Sequence, residues 1–169
     1  MNTDFVEVTL TTVSKGLLEE VLDIYVTNAE YFKVSSGEKP SLETIIEDKN
    51  EIPPGLKLEN KNYKLIKKGG LNIGVVDYLE GYPDKDTVYI GLLMIHGDYH
   101  RQGYGRAFID RFARDMKLKG YKRLRLGVLE QNKKAFEFWT KMGFEAVKEV
   151  NSTIHPERNW KIKVMEKVI

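Results

Sequence analysis

The chain contains no cysteine in 169 residues, which excludes disulfides, thiolate nucleophiles and cysteine-ligated metal sites. It lacks any apolar run near the roughly 18–20 residues that a membrane-spanning helix needs. It also lacks an excess of one charge sign. A formal net charge of +2 argues against a dedicated nucleic-acid binder, although Lys61–Lys68 and Arg106–Arg125 could form a local basic surface. The histidines, His96, His100 and His155, show no metal-ligand spacing and read as ordinary surface or loop residues, so no metal is expected. Met1 to Leu10 alternates polar and apolar residues and carries acids, unlike a signal peptide. These absences point to a cytoplasmic protein with no membrane and no nucleic-acid partner. A homodimer is compatible with them.

What is present suits one globular domain over residues 1–169. Hydrophobic residues make up 41% and charged residues 31%, enough for a substantial core inside a solvated surface. Phe5 to Leu10 alternates as a first strand. Ser14 is placed to cap a helix running to about Asn28, with Leu17, Leu18, Val21, Leu22 and Tyr25 on its apolar face. Glu30 to Lys39 reads as a loop. Ser41 caps a short helix that the Pro53-Pro54-Gly55 cluster ends.

Three strands follow, Tyr63–Lys67, Leu71–Leu79 and Thr87–Ile95, separated by Gly69-Gly70 and Gly81-Tyr82-Pro83-Asp84. Tyr104–Lys119 has Phe108, Phe112, Ala113 and Met116 on one face and Gly120 as its stop, a helix. Leu124–Leu129 is then a strand reached by a helical crossover, expected parallel to the third strand. A helix over Lys133–Met142 and closing strands Phe144–Val150 and Trp160–Met165 complete an α/β (α+β) chain. Its sheet is expected to be mixed, mostly antiparallel and flanked by helices.

The loop His100-Arg101-Gln102-Gly103-Tyr104-Gly105-Arg106 carries the most chemistry. It joins an apolar strand to a helix N-terminus, where free amides and the macrodipole favour an anion. Gly103 and Gly105 let the backbone turn its amides inward, and Arg101 and Arg106 can add charge-assisted bonds. A plain strand–turn–helix link has the same outline. Neither common nucleotide motif is present. Phe108 occupies the small third position of the dinucleotide fingerprint, and no Gly-Lys-Ser/Thr occurs.

A second motif is Asn132-x-x-Ala135-x-x-Phe138-Trp139-x-x-Met142-Gly143-Phe144. Asn132 suits an N-cap and Gly143-Phe144 a helix ending. Ala135, Phe138, Trp139 and Met142 share a face, which reads as a core stripe for Phe138 and Met142. The two motifs are expected at the ends of adjacent parallel strands, where ligands bind in open α/β sheets.

In combination these motifs resemble the GNAT N-acetyltransferase superfamily. His100-Arg101-Gln102-Gly103-Tyr104-Gly105 is similar to its signature Arg/Gln-x-x-Gly-x-Gly/Ala, and Asn132…Phe138-Trp139-x-x-Met142-Gly143-Phe144 to its Asn…Tyr…Gly-Phe segment. The match is strongest from about Val88 to Val147, and the element order extends it over nearly the whole chain. The resemblance implies a GNAT-like fold and acetyl-CoA as co-substrate. The backbone of Leu93, Met94 and Ile95 would pair with the pantetheine arm. The amides of Arg101, Gln102, Gly103, Tyr104, Gly105 and Arg106 would hold the pyrophosphate. Asn132, Ala135 and Trp139 would lie along the thiol end. The implied reaction is direct attack of a primary amine, on a small molecule or a peptide, upon the thioester.

Two positions depart from the pattern. His100 replaces Arg or Gln. Trp139 stands where the family often has a tyrosine general acid, and an indole N–H is a donor only. The thiolate then leaves unassisted or takes its proton from another group or water. For the base, Asp77 is the one charge in the row Leu71, Ile73, Val75, Asp77, Leu79, and burial there would raise its pKa. A hydrogen-bonded structural aspartate looks the same, and Glu80, Tyr82 and Tyr89 are alternatives. Tyr31, Tyr82 and Tyr89 are candidate acceptor contacts. The rival reading is a CoA-binding regulatory module without catalysis.

Overall fold

The computed structural model describes residues 8–153 and 156–169. The strands are β1 (Val8–Thr12), β2 (Lys61–Lys68), β3 (Leu71–Glu80), β4 (Thr87–Ile95), β5 (Arg123–Leu129), β6 (Glu145–Asn151) and β7 (Lys161–Val168). The helices are α1 (Leu18–Val26), α2 (Ala29–Ser35), α3 (Leu42–Asn50), α4 (Tyr104–Leu118) and α5 (Lys133–Lys141). The strands form one sheet in the order β1-β2-β3-β4-β5-β7-β6. The pairs β1/β2, β2/β3, β5/β7 and β6/β7 are antiparallel, so the expected mixed, mostly antiparallel architecture is found. Phe5 to Glu7 of the anticipated first strand, and His155, lie outside the described residues.

The chain divides into two compact units. One comprises Met1–Leu79 with Ile90–Arg111, the other Glu80–Tyr89 with Phe112–Ile169. The core of the first is Val13, Val21, Ile24, Tyr25, Phe32, Ile45, Tyr63, Leu65, Val75 and Met94, supplied by α1–α3 and one face of the strands. In the second, α5 places Trp139 edge-on against Phe144, ring centroids 5.0 Å apart. Leu124, Leu126, Val128, Met142, Val164 and Met165 are buried in the same unit.

The helix ends follow local chemistry. Ser41 and Thr44 form a capping box on α3: Ser41 Oγ accepts from the Thr44 amide at 3.4 Å and Thr44 Oγ1 from the Ser41 amide at 3.0 Å. Past α4 the Tyr121 amide donates to the Met116 carbonyl at 3.1 Å, and Gly120 sits at φ +97°. Past α5 the Phe144 amide donates to Trp139 at 3.0 Å, and Gly143 sits at φ +92°. Both are six-to-one closures that require a left-handed residue.

Two expectations are corrected. Ser14 does not cap: its side chain makes no cap bond, Lys15–Leu17 form a 3-10 turn, and α1 begins at Leu18. Residues 29–35 are a helix and not a loop. The segment is too short and too mixed to show a helical period. Its helix is held by Phe32, which is 5% exposed and packs on Tyr25 with centroids 5.0 Å apart.

Candidate active site

In the first unit, β4 runs into a 3-10 turn at Gly97–Tyr99 and then the loop before α4. That loop is braced on both sides. His96 accepts from the Asp98 amide at Nδ1, 3.1 Å away, which leaves the proton on Nε2 to donate to Asp23 Oδ2 at 3.1 Å. The Gly97 amide donates to Thr27 Oγ1 at 2.8 Å, and a Cβ on Gly97 would lie 2.9 Å from the Thr27 Cβ. Gln102 Nε2 donates to the Asp98 carbonyl at 2.8 Å. His96 is only 9% exposed, so it belongs to this bracing and not to the surface.

Arg101 (φ +59°) and Gly103 (φ +84°) are both left-handed. Left-handed residues in a tight turn aim successive amides into a concave nest. The Ala107 amide donates to the Gly103 carbonyl at 3.0 Å, which closes the first turn of α4 directly onto the loop. A Cβ on Gly103 would meet nothing within 4 Å, so that side of the loop is unobstructed. Lys68 stands over the Tyr104 ring, 5.3 Å from its centroid, adding positive charge at this helix start.

The three strand-end residues are not equivalent. The Ile95 carbonyl already accepts from Asn28 Nδ2 at 2.9 Å and from His100 Nε2 at 2.7 Å. With both lone pairs engaged, Ile95 has no acceptor left for a pantetheine amide.

Asp77 lies on the α1–α3 face of the first unit and is 7% exposed. It pairs across strands with Tyr63, and Lys61 with Leu79, which puts Lys61, Tyr63 and Asp77 on one face. Lys61 Nζ lies 2.8 Å from Asp77 Oδ2 and donates to the Glu51 carbonyl at 2.6 Å. Beside them Tyr25 donates to Asp48 Oδ2 at 2.6 Å and shares a 2.5 Å hydrogen bond with Tyr63. Burial pushes Asp77 up to about 6; Lys61 pulls it down, while Asp48 and Glu51 push it further up. Burial also raises Asp48, against the opposing pull of its Tyr25 bond.

Gly91 is what makes room for the carboxylate. A Cβ there would sit 2.8 Å from Asp77 Oδ2. Met94 belongs to the core against α1–α3, and Leu92 packs on it, so Gly91 and Leu92 face the same side and the two-residue alternation of β4 slips by one. Tyr31 is 38% exposed on α2, with its ring edge-on to Phe32.

The second unit holds the other candidates. Asn132 Oδ1 caps α5 by accepting from the Ala135 amide at 3.2 Å. Trp139 is 8% exposed between Phe138 and Phe144. Tyr82 and Tyr89 come together, edge to face at 5.7 Å, and the Tyr89 hydroxyl lies 3.3 Å from where a Gly127 Cβ would stand. Glu80 is engaged by Lys119 at 2.5 Å.

Among the described residues no group of three or more His, Asp or Glu could hold a metal ion. None of the described helices is long and apolar enough to cross a membrane.

A sheet flanked by helices, with a left-handed turn where a strand gives way to a helix, defines an α/β protein. Comparison narrows that class. The model of the acetyltransferase (GNAT) family matches residues 19–144, and the chain belongs to that family. A search of the curated proteins found no match. Among solved structures, an acetyltransferase from Thermus thermophilus is 25% identical, with TM-score 0.77 and coverage of 99% of this chain and 100% of that one. A spermidine N-acetyltransferase from Vibrio cholerae, in complex with CoA and spermine, is 17% identical, with TM-score 0.69 over 96% and 95%. The ribosomal-protein-S18-alanine N-acetyltransferase from Escherichia coli is 16% identical, with TM-score 0.63 over 96% and 94%. The last two speak to the fold.

Proposed function

We propose that this acetyltransferase moves the acetyl group of acetyl-CoA to a primary amine by direct attack. The observation that carries the reading is the turn at the start of α4, with Arg101 and Gly103 both left-handed where the strand gives way to the helix. It is the binding chemistry a pyrophosphate needs. Acetyl-CoA supplies a carbonyl already activated as a thioester. Arg101 to Arg106 bind the phosphates, and Leu93 and Met94 offer backbone pairing to the pantetheine. Asn132, Ala135 and Trp139 keep the coenzyme assignment that the resemblance gives them, with Asn132 acting through the α5 terminus that it caps.

Asp77 is assigned as the base. Ionised above about pH 6, it takes a proton from the acceptor's ammonium, which frees the nitrogen lone pair. The amine nitrogen forms its bond to the carbonyl carbon as the carbon–sulfur bond breaks; the second proton that the nitrogen loses on becoming an amide passes to water, and water returns a proton to the departing thiolate. Tyr31 in the first unit, and separately Tyr82 and Tyr89 in the second, remain candidate contacts for an acceptor of small-molecule or peptide type. The test pairs calorimetric titration of acetyl-CoA with a thiol-release assay over a panel of amines. Gly103→Asp places an anion in the nest and should weaken coenzyme binding about tenfold or more, a loss of ~1.4 kcal/mol. Unchanged affinity would remove the nest assignment. Tight binding without turnover on any amine would favour a regulatory CoA-binding module.

A further inference from the structure

Lys61 lies outside the loop and helix motifs, yet it occupies an unusual place. Its side chain is 7% exposed, and its ammonium has two acceptors: Asp77 Oδ2 at 2.8 Å and the Glu51 carbonyl, at the end of α3, at 2.6 Å. We propose that Lys61 is a positioning residue of acetyl transfer, holding the Asp77 carboxylate against the bare Gly91 backbone and keeping it charged at neutral pH. The inference rests on the assignment of Asp77 as base.

Three observations converge on it. A buried ion pair adds little net stability compared with an apolar pair of the same size, so stability alone does not account for a charged pair here. The tether is two-sided: Glu51 caps the C-terminus of α3, so the ammonium is fixed to the helical layer as well as to β3. The carboxylate also has little freedom on its other side, since Gly91 leaves room for the oxygen but not for an added methyl group.

The groups around Asp77 are otherwise unhelpful to a negative charge. Asp48 and Glu51 repel it, and Tyr63 faces it from the neighbouring strand, hydrogen-bonded to Tyr25. Among the groups that act on Asp77, Lys61 supplies the attraction.

The experiment reads Asp77 and catalysis separately. The Asp77 carboxyl resonance is followed by carbon NMR across pH in the parent protein, Lys61→Met, Lys61→Gln and Lys61→Arg. The kcat/KM profile is measured in parallel with an amine that the parent acetylates. Lys61→Gln retains hydrogen-bonding ability and removes only the charge, which covers the case in which Lys61→Met does not fold. Removing an opposite charge at this range raises a carboxylate by about 1–3 units. In the neutral variants both the Asp77 midpoint and the acid limb should therefore move up together. Near pH 6 kcat/KM should drop about fivefold for a one-unit shift and more for a larger one, with recovery once the pH passes the new midpoint. Lys61→Arg should stay near the parent. A merely structural loss would be the same at every pH, and that result overturns the proposal, as does an unmoved Asp77 midpoint. A midpoint that moves while the rate profile stays put overturns it in a different way, because Asp77 is then not the base.

Discussion

The sharpest consequence of the site is the pH dependence of Asp77→Asn. With the parent carboxyl near 6, about nine-tenths of the molecules carry an ionised Asp77 at pH 7 and about one-tenth at pH 5. A base that must be ionised therefore gives a kcat/KM that falls about tenfold between those pH values, with unit slope at the acid end. The asparagine variant should lose most activity at neutral pH and lose this limb altogether, while acetyl-CoA affinity changes little, since the nest lies on a different segment. The same group predicts a stability signature. The folded-state value lies above the ordinary 3.8, so the folded protein binds this proton more tightly than the unfolded chain. That contribution is fully present below about pH 4 and is lost as pH rises through about 6, a swing of about 3 kcal/mol for a shift of about 2 units. Denaturant unfolding at a series of pH values, parent minus Asp77→Asn, isolates it from the other carboxylates. Initial rates at subsaturating amine, referenced to the ammonium concentration, isolate the kinetic limb in kcat/KM. An Asp77→Asn enzyme with the parent's acid limb would refute the reasoning, since the ionisation would then belong to another group.

Two further outcomes follow from packing. Gly91→Ala places a methyl carbon 2.8 Å from Asp77 Oδ2 and must displace the carboxylate. A shift of that kind costs about tenfold to a hundredfold in kcat/KM, with coenzyme affinity unchanged by calorimetry; full activity would show that the carboxylate's position is immaterial. Trp139→Ala removes a side chain that is 8% exposed and packed between two phenylalanines. Chemical denaturation should show a loss of about 3–5 kcal/mol, and a loss under ~1 kcal/mol would contradict its place in the core.

The glycine turn into α4 was legible in the sequence because its causes are local. Gly103 and the helix start declare themselves within a few residues, as do the endings Gly120 and Gly143-Phe144, where the backbone needs a left-handed residue and only short-range bonds are involved. The α3 cap at Ser41 was legible for the same reason, and the alternation of β3 singled out Asp77 as the lone charge in an apolar row. The same test applied to β2 marks Lys61, a lysine two residues before Tyr63 and four before Leu65 on one face, but that signal has meaning only once the register sets Tyr63 opposite Asp77.

Other features were decided by tertiary structure, because they depend on contacts between segments far apart in the chain. The helix at 29–35 forms because Phe32 reaches the Tyr25 core, which a seven-residue pattern cannot announce. His96 is fixed by Asp23, 73 residues away, and the Ile95 carbonyl is taken by Asn28 from another element. Above all, the setting of Asp77 is tertiary: Lys61 from β2, itself held by the Glu51 carbonyl at the end of α3, and the bare Gly91 from β4 meet at one carboxylate. Sequence alone determined the family resemblance and the turn that opens α4, since backbone conformation and helix termini are short-range properties. The electrostatic environment of the base is a sum over residues that only the folded chain brings together.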